Sequence, residues 1–295
     1  MATATHLRSN IDVYPTRLAK PGQIEPRPHP VVWGRADGPL KGAALQGYDE
    51  RGYHVRRSVL APSEIESVLS EVDAVTCRLG DDQRVIREPS SGDVRSVFAV
   101  HQLSDLVAEI CDRDELAGVA RQILGDDVYI HQCRVNLKPG FAGGPFYWHS
   151  DFETWHAEDG MPAPRALSVS LALTPNFEFN GPLMIVPGSH RRFIPCVGAT
   201  PDGYHKQSLE SYRPPFGTPE EADVAALADE LGIDLVTGPA GSALYFDSNC
   251  LHASAGNISP YPRSNLFVVF NARSNALVEP FAGTAPRPGY LADRG

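Results

Sequence analysis

Helical periodicity confined to residues 63–125, two-residue alternation from residue 128 onward, and turn sequences between the alternating runs predict a mainly β protein with flanking helices, folded as a double-sheet jelly roll. Ser63 and Glu66 have capping-box spacing, and Ile65, Val68, Leu69 and Val72 follow at i, i+3, i+4 and i+7, which predicts a first helix. A second is expected to start at Asp112 with Glu115 three residues on, to bury Leu116, Val119, Ala120 and Ile123, and to stop at Gly125. From Val128 to Leu137 the period is two, with Gln132, Arg134 and Asn136 on one face and Cys133, Val135 and Leu137 on the other. Buried amides and a buried guanidinium are costly without partners, so that polar face calls for a ligand opposite it. Arg165 to Thr174 alternates Leu167, Val169, Leu171 and Leu173 with small residues that leave room for a bound molecule. Further strands are expected at 182–186, 242–246 and 265–273, with turns at Asn180-Gly181-Pro182, Pro187-Gly188-Ser189 and Pro239-Ala240-Gly241.

The chain has 295 residues, 42% of them hydrophobic, enough for one large core. Residues 1–45 carry six prolines and little periodicity and read as an extended arm packed on or beside the core; Asp12 to Arg17 is its only patterned piece. Residues 46–295 read as a single domain, with the polar stretch 197–240, including a helix near 220–231, as an insertion or lid. A net charge of −10 argues against nucleic acid or an anionic membrane as partner, because both call for a basic surface. The five cysteines are scattered and odd in number, which fits neither a disulfide framework nor a zinc knuckle. The N-terminus lacks the apolar core of a signal peptide and no run approaches a membrane span, so a cytoplasmic location is expected.

One constellation carries chemistry. His149-Ser150-Asp151 is followed 101 residues after the aspartate by His252, and Arg263 lies eleven residues further on. Two imidazoles and a carboxylate can occupy one face of an octahedral Fe(II) and leave three positions for reacting ligands. If the motif lies in a strand, His149 and Asp151 point to the same side and Ser150 away. Arg263 then offers a fixed fork to a dicarboxylate co-substrate. A lone His-x-Asp arises by chance roughly 0.7 times at this composition, so the motif needs support from its surroundings.

That support is the run Phe146-Tyr147-Trp148-His149-Ser150-Asp151-Phe152-Glu153-Thr154-Trp155-His156-Ala157-Glu158-Asp159-Gly160-Met161-Pro162. It closely resembles the signature of the ectoine hydroxylases, within the phytanoyl-CoA dioxygenase-like branch of Fe(II)/2-oxoglutarate oxygenases. Asn180-Gly181-Pro182-Leu183, Pro187-Gly188-Ser189-His190 and Phe246-Asp247-Ser248-Asn249 look like that family too, so the resemblance runs from the Asp12 segment to Arg273. It implies a cupin-type double-stranded β-helix, a homodimer, and hydroxylation of ectoine to 5-hydroxyectoine, with 2-oxoglutarate and O2 converted to succinate and CO2. By the same resemblance His149, Asp151 and His252 would bind iron, and Asn136, Phe146, Ser254 and Arg263 would line the 2-oxoglutarate site. Gln132, Arg134, Thr154, Trp155, Phe246 and Phe270 would line the substrate pocket.

The residues agree with this chemically. Ectoine carries a delocalised ring cation and a carboxylate, so its pocket needs an aromatic face and Arg or Gln donors. Trp155 and Phe270 are candidates for the first, Gln132 and Arg134 for the second. Glu153, Glu158 and Asp159 read as solvated or dimer-facing charges. Acyl-CoA substrates fit poorly, since their phosphates call for clustered Lys and Arg, and Asp151 fills the position a halogenase leaves for halide. Two alternatives stay open: the same chemistry on another small amino-acid-like substrate, and a non-catalytic jelly roll that binds an osmolyte or a metal.

Overall fold

In the computed structural model, residues 12–35 and 37–295 are described. The chain runs β1 (Glu25–Pro26), α1 (Gly42–Arg51), β2 (Tyr53–Arg56), α2 (Pro62–Leu79), β3 (Val85–Arg87) and β4 (Val94–Phe98), then α3 (Asp105–Asp112), a π turn over Asp114–Gly118, and α4 (Val119–Leu124). The eleven-residue strand β5 (Val128–Lys138) follows, with β6 (Phe146–His149), α5 (Asp151–Asp159), β7 (Ala166–Ala172), β8 (Leu183–Ile185) and β9 (Arg192–Phe193). The last part holds α6 (His205–Glu210), α7 (Glu221–Leu231), β10 (Asp234–Val236), β11 (Ala243–Asp247), β12 (His252–Ser254) and β13 (Arg263–Ala272).

The strands form a seven-stranded antiparallel sheet, β2-β11-β7-β13-β5-β4-β3, and a four-stranded one, β10-β8-β12-β6. Apolar alternation explains why both faces of the large sheet are covered. Val135, Leu167, Val169, Leu171, Leu266 and Val268 point outward and pack under α2 to α4, whereas Leu244, Phe267 and Val269 point inward against Leu183 and Ile185 of the small sheet. This is the jelly roll with flanking helices that the sequence predicts.

Local differences have local causes. The first helix is capped at Ala61, with Glu64 rather than Glu66 accepting from the cap amide at 2.8 Å, because Pro62 sets its first turn. The second helical region begins earlier, at Asp105 behind Ser104, whose hydroxyl accepts from Val107; residues Leu116, Val119, Ala120 and Ile123 are buried and Gly125 ends it at φ 62°. The short strands β2, β3 and β4 extend the large sheet, although three to five residues are too few to show a period. In the stretch 197–240, β10 pairs with β8 and belongs to the small sheet, so any inserted segment ends before it. All five cysteines are free, and no helix among the described residues is long and apolar enough to cross a membrane.

The arm is tied down by buried charge. Arg17 donates to Glu153 at 2.8 and 3.1 Å, and Arg27 pairs with Asp247 at 2.8 Å. Tyr14 packs edge-on against Phe152 and Phe193, and β1 pairs with β9.

Candidate active site

His149 ends β6 and stands directly opposite His252 of β12, with ring centroids 4.3 Å apart. The expectation that Asp151 continues the strand is corrected: the chain turns at Ser150, and Asp151 is the first residue of α5. Ser150 keeps extended backbone and its hydroxyl reaches Asn249 Oδ1 at 3.2 Å, while the Phe152 amide donates to Ser248 O at 2.8 Å. These bonds fasten the helix start to the turn before His252. The three side chains converge all the same, with Asp151 Oδ1 3.6 Å from His149 Nε2 and Oδ2 4.0 Å from His252 Nε2.

The protonation pattern suits a cation. His149 Nδ1 lies 2.7 Å from Tyr147 O and His252 Nδ1 3.0 Å from Cys250 O; carbonyls only accept, so each ring carries its proton on Nδ1 and turns an Nε2 lone pair toward Asp151. Burial opposes charge on Asp151, but His252 and His149, where a proton is taken up there, together with Arg134, hold its carboxyl well below the ordinary range. Burial and the neighbouring His149 lower His252 to about 4, which keeps it neutral and able to ligate. Among the described residues this is the one group of three such side chains close enough to hold a metal ion.

The triad is a wall between two cavities. The smaller, of about 30 Å³, is lined by His149, His252, Asn136, Phe146, Ser254 and Arg263, and also by Asn265 and Phe267. Arg263 is buried with no carboxylate paired to it among the described residues, its Nε lacks a partner, and burial alone lowers it to about 10. Ser96 donates to Asn136 Oδ1 at 2.8 Å, and Lys138 Nζ donates to Ser254 Oγ at 2.9 Å and to Ala255 O. An uncompensated buried guanidinium beside a neutral lysine, held at about 6 by burial and by Arg263, is a receptor for an anion.

The larger cavity, of about 140 Å³, is lined by His149 and Asp151 together with Gln132, Arg134, Thr154 and Trp155. Gln132 donates to Leu291 O at 2.6 Å and accepts from Arg134 at 2.9 Å, which leaves the rest of that guanidinium for a ligand. A bulge between Val269 and Phe270 leaves His131 unopposed on β5, so that both His131 and Gln132 face inward. His131 meets Trp155 edge-on at 5.2 Å and Asp159 at 3.2 Å, fixing α5 against the sheet.

Two predicted pocket residues lie elsewhere. Phe270 shares the outward face of β13 with Leu266 and Val268 and is packed in the helix-covered core. The inward aromatic is Phe267, whose ring lies 4.9 Å under the Arg134 guanidinium. Phe246 lines neither cavity but backs His252, with centroids 5.0 Å apart. Glu153, Glu158 and Asp159 are 1%, 3% and 0% exposed, not solvated: they are buried beside Arg17 and Arg287, two guanidiniums among three carboxylates. Sequence reading missed Arg17, Glu158, Arg287 and Phe216 as cavity residues; Arg17 lies in the one patterned piece of the arm, but nothing in the sequence pairs it with Glu153.

Residues 48–265 match the model of the phytanoyl-CoA dioxygenase (PhyH) family. The ectoine dioxygenase of Nocardia farcinica is 52% identical over 286 residues, covering 96% of this chain and 94% of that protein. The crystal structure of EctD from S. alaskensis with 2-oxoglutarate and 5-hydroxyectoine superposes with a TM-score of 0.85 at 41% identity, covering 97% of this chain and 95% of that one, and the same protein with bound Fe gives the same score, identity and coverage. With a converging His-Asp-His triad, a lone buried arginine behind it, and a family match over most of its length, the chain belongs to the phytanoyl-CoA dioxygenase family.

Proposed function

We propose that this protein is an Fe(II)- and 2-oxoglutarate-dependent dioxygenase that hydroxylates ectoine to 5-hydroxyectoine, consuming O2 and releasing succinate and CO2. The observation that carries this reading is the position of the triad, which separates a cavity holding an unpaired buried guanidinium from one lined by donors and an aromatic face. The relative named for ectoine, and the related structures that hold Fe, 2-oxoglutarate and 5-hydroxyectoine, support this reading of the donor set and of the two cavities.

In this reading His149 Nε2, Asp151 and His252 Nε2 hold the ferrous ion. Bound there, iron would activate O2 with the oxoacid as electron donor, so that one oxygen enters an unactivated C–H bond and the other enters succinate. Arg263 takes the far carboxylate of 2-oxoglutarate, with Ser254 and Asn136 alongside and Phe146 closing the wall. Gln132, Arg134 and Thr154 receive the ectoine carboxylate, and Trp155 offers its ring face. Tyr204, Leu209 and Phe216, from the segment around α6, also line the larger cavity, and in this reading that segment serves as its cover. The active form we expect is a cytoplasmic homodimer.

The test is spectroscopic and chemical. Anaerobic Fe(II) with 2-oxoglutarate should give a visible charge-transfer band, and O2 with ectoine should then release succinate and 5-hydroxyectoine in equal amounts. A band without ectoine-dependent succinate would move the assignment to another small amino-acid-like substrate; no band would remove the oxygenase reading and favour a binding protein.

A further inference from the structure

The face of α5 that carries Asp151 also carries Thr154, Trp155 and Glu158, at i, i+3, i+4 and i+7, and all four line the larger cavity. Glu158 is 3% exposed, yet it is poorly neutralised. Its one ion-pair contact among the described residues is Arg17 Nη2 to Oε1 at 3.0 Å, and Arg17 already spends Nε and Nη2 on Glu153 at 2.8 and 3.1 Å. The other guanidinium nearby, Arg287, is held by both oxygens of Asp159 at 2.6 Å each. Asp159 also faces His131 Nε2 at 3.2 Å, and the two guanidiniums that favour charge on Glu158, Arg287 and Arg17, are shared with Asp159 and Glu153, so three carboxylates have two guanidiniums between them. No hydrogen bond reaches Glu158 Oε2 among the described residues.

Across the same cavity the imbalance has the opposite sign. Among the described residues Arg134 has no ion pair, it donates to Gln132 Oε1, and its Nε is without a partner. One cavity therefore holds an underpaired anion on α5 and an underpaired cation on β5. A buried charge left half-compensated is costly, and a zwitterion laid between the two relieves both. Burial, with Glu153 and Asp159 adding to it, pushes the Glu158 carboxyl above its usual range despite Arg287 and Arg17.

We propose that Glu158 is the cation subsite of the substrate pocket, pairing with the ring amidinium of the substrate while Arg134 takes its carboxylate. The inference rests on the reading of ectoine as substrate. It makes Glu158 a specificity-determining residue that selects zwitterions over simple carboxylates of the same size.

The experiment follows succinate release with Fe(II), 2-oxoglutarate and O2, using two competitors of ectoine. One is 2-methyltetrahydropyrimidinium, the substrate ring without its carboxylate; the other is cyclohexanecarboxylate, a ring of similar size without the cation. Both should inhibit the wild-type enzyme competitively. Glu158→Gln should raise the KM for ectoine and the Ki for the amidinium by about ten-fold or more, the loss of one charge-assisted contact, and move the Ki for cyclohexanecarboxylate less than two-fold. Equal shifts for both competitors would mean that Glu158 only supports the fold, and no shift in either would mean that it does not touch the substrate; both outcomes overturn the proposal. So does a wild-type enzyme that cyclohexanecarboxylate inhibits and the amidinium does not, a result that holds even if the variant fails to fold. A wild-type enzyme that shows no ectoine-dependent succinate fails at the earlier step, and removes the substrate assignment along with this one.

Discussion

His149 and His252 are register partners across β6 and β12, and each ring is locked by a carbonyl two residues earlier in the chain, Tyr147 O and Cys250 O. The backbone, strand β6 for one ring and the turn before β12 for the other, thus orients both donors before any metal arrives, and Asp151 closes the triangle from the first turn of α5. Asp151→Ala should abolish Fe(II) retention and coupled turnover, because an ion held by two neutral imidazoles lacks the charge that Asp151 supplies. Metal content after gel filtration and succinate release read the two effects; near-wild-type iron occupancy in the variant would reject Asp151 as a ligand.

Arg263 should govern 2-oxoglutarate rather than ectoine. Replacing it with Ala removes a charge-assisted partner of the oxoacid worth about 1.5–3 kcal/mol, so the half-saturation for 2-oxoglutarate should rise by roughly one to two orders of magnitude. Arg263→Lys should recover only part of this, since a point charge cannot reproduce the planar fork. An unchanged 2-oxoglutarate titration in Arg263→Ala would place the co-substrate elsewhere.

The strands that frame the site were legible because alternation is local: β5 and β7 present in the structure the faces that their sequences describe. The triad was legible by motif, but its geometry was not. A two-residue spacing puts His149 and Asp151 on one side of a strand, whereas the chain leaves the strand at Ser150 and reaches the same point through a helix start. Phe270 shows the opposite case, a signal present and unread: counting by twos from Arg263 gives 265, 267 and 269 inside and 270 outside. The Arg17, Glu158 and Arg287 cluster was beyond sequence reading, because pairings across more than a hundred residues leave no periodic trace.

The two phenylalanines of β13 should therefore separate stability from recognition. Phe270→Ala empties a site in the helix-covered core and should cost about 3–5 kcal/mol of stability, with little change in the KM for ectoine in the folded fraction. Phe267→Ala removes the ring beneath Arg134 and should disturb ligand binding as well. Denaturant midpoints and KM values measured on both variants test the assignment; a raised ectoine KM in Phe270→Ala alone would restore Phe270 to the pocket.

Lys138 predicts a pH dependence of stability. Burial, with Arg263 and Arg95 nearby, lowers its folded pKa to about 6, while the unfolded chain keeps the ordinary value near 10.5. Between these values the unfolded state binds the extra proton, so this group lowers stability in that window, and the loss is recovered as pH rises toward the unfolded value. Lys138→Met, which fills similar volume without a charge, should raise the melting temperature at pH 7 and flatten its rise with pH. A variant that melts at or below the wild-type temperature would show that the bonds to Ser254 and Ala255 outweigh the cost of burying the amine.

The arm should be part of the folding unit, not an appendage. Arg27 donates to Asp247 Oδ2 at 2.8 Å from a side chain 1% exposed, and to Pro164 O at 2.9 Å, while Asp247 Oδ1 accepts from the Asn249 amide at 2.8 Å. Arg27→Ala leaves a buried carboxylate unpaired at the turn that leads into His252, and should cost about 3–5 kcal/mol. Removing both charges with Arg27→Met and Asp247→Asn should cost much less than the single change, since no isolated charge is left behind. Equilibrium denaturation of the three variants decides this: equal losses in the single and the double variant would mean that arm packing, rather than the ion pair, holds the segment in place.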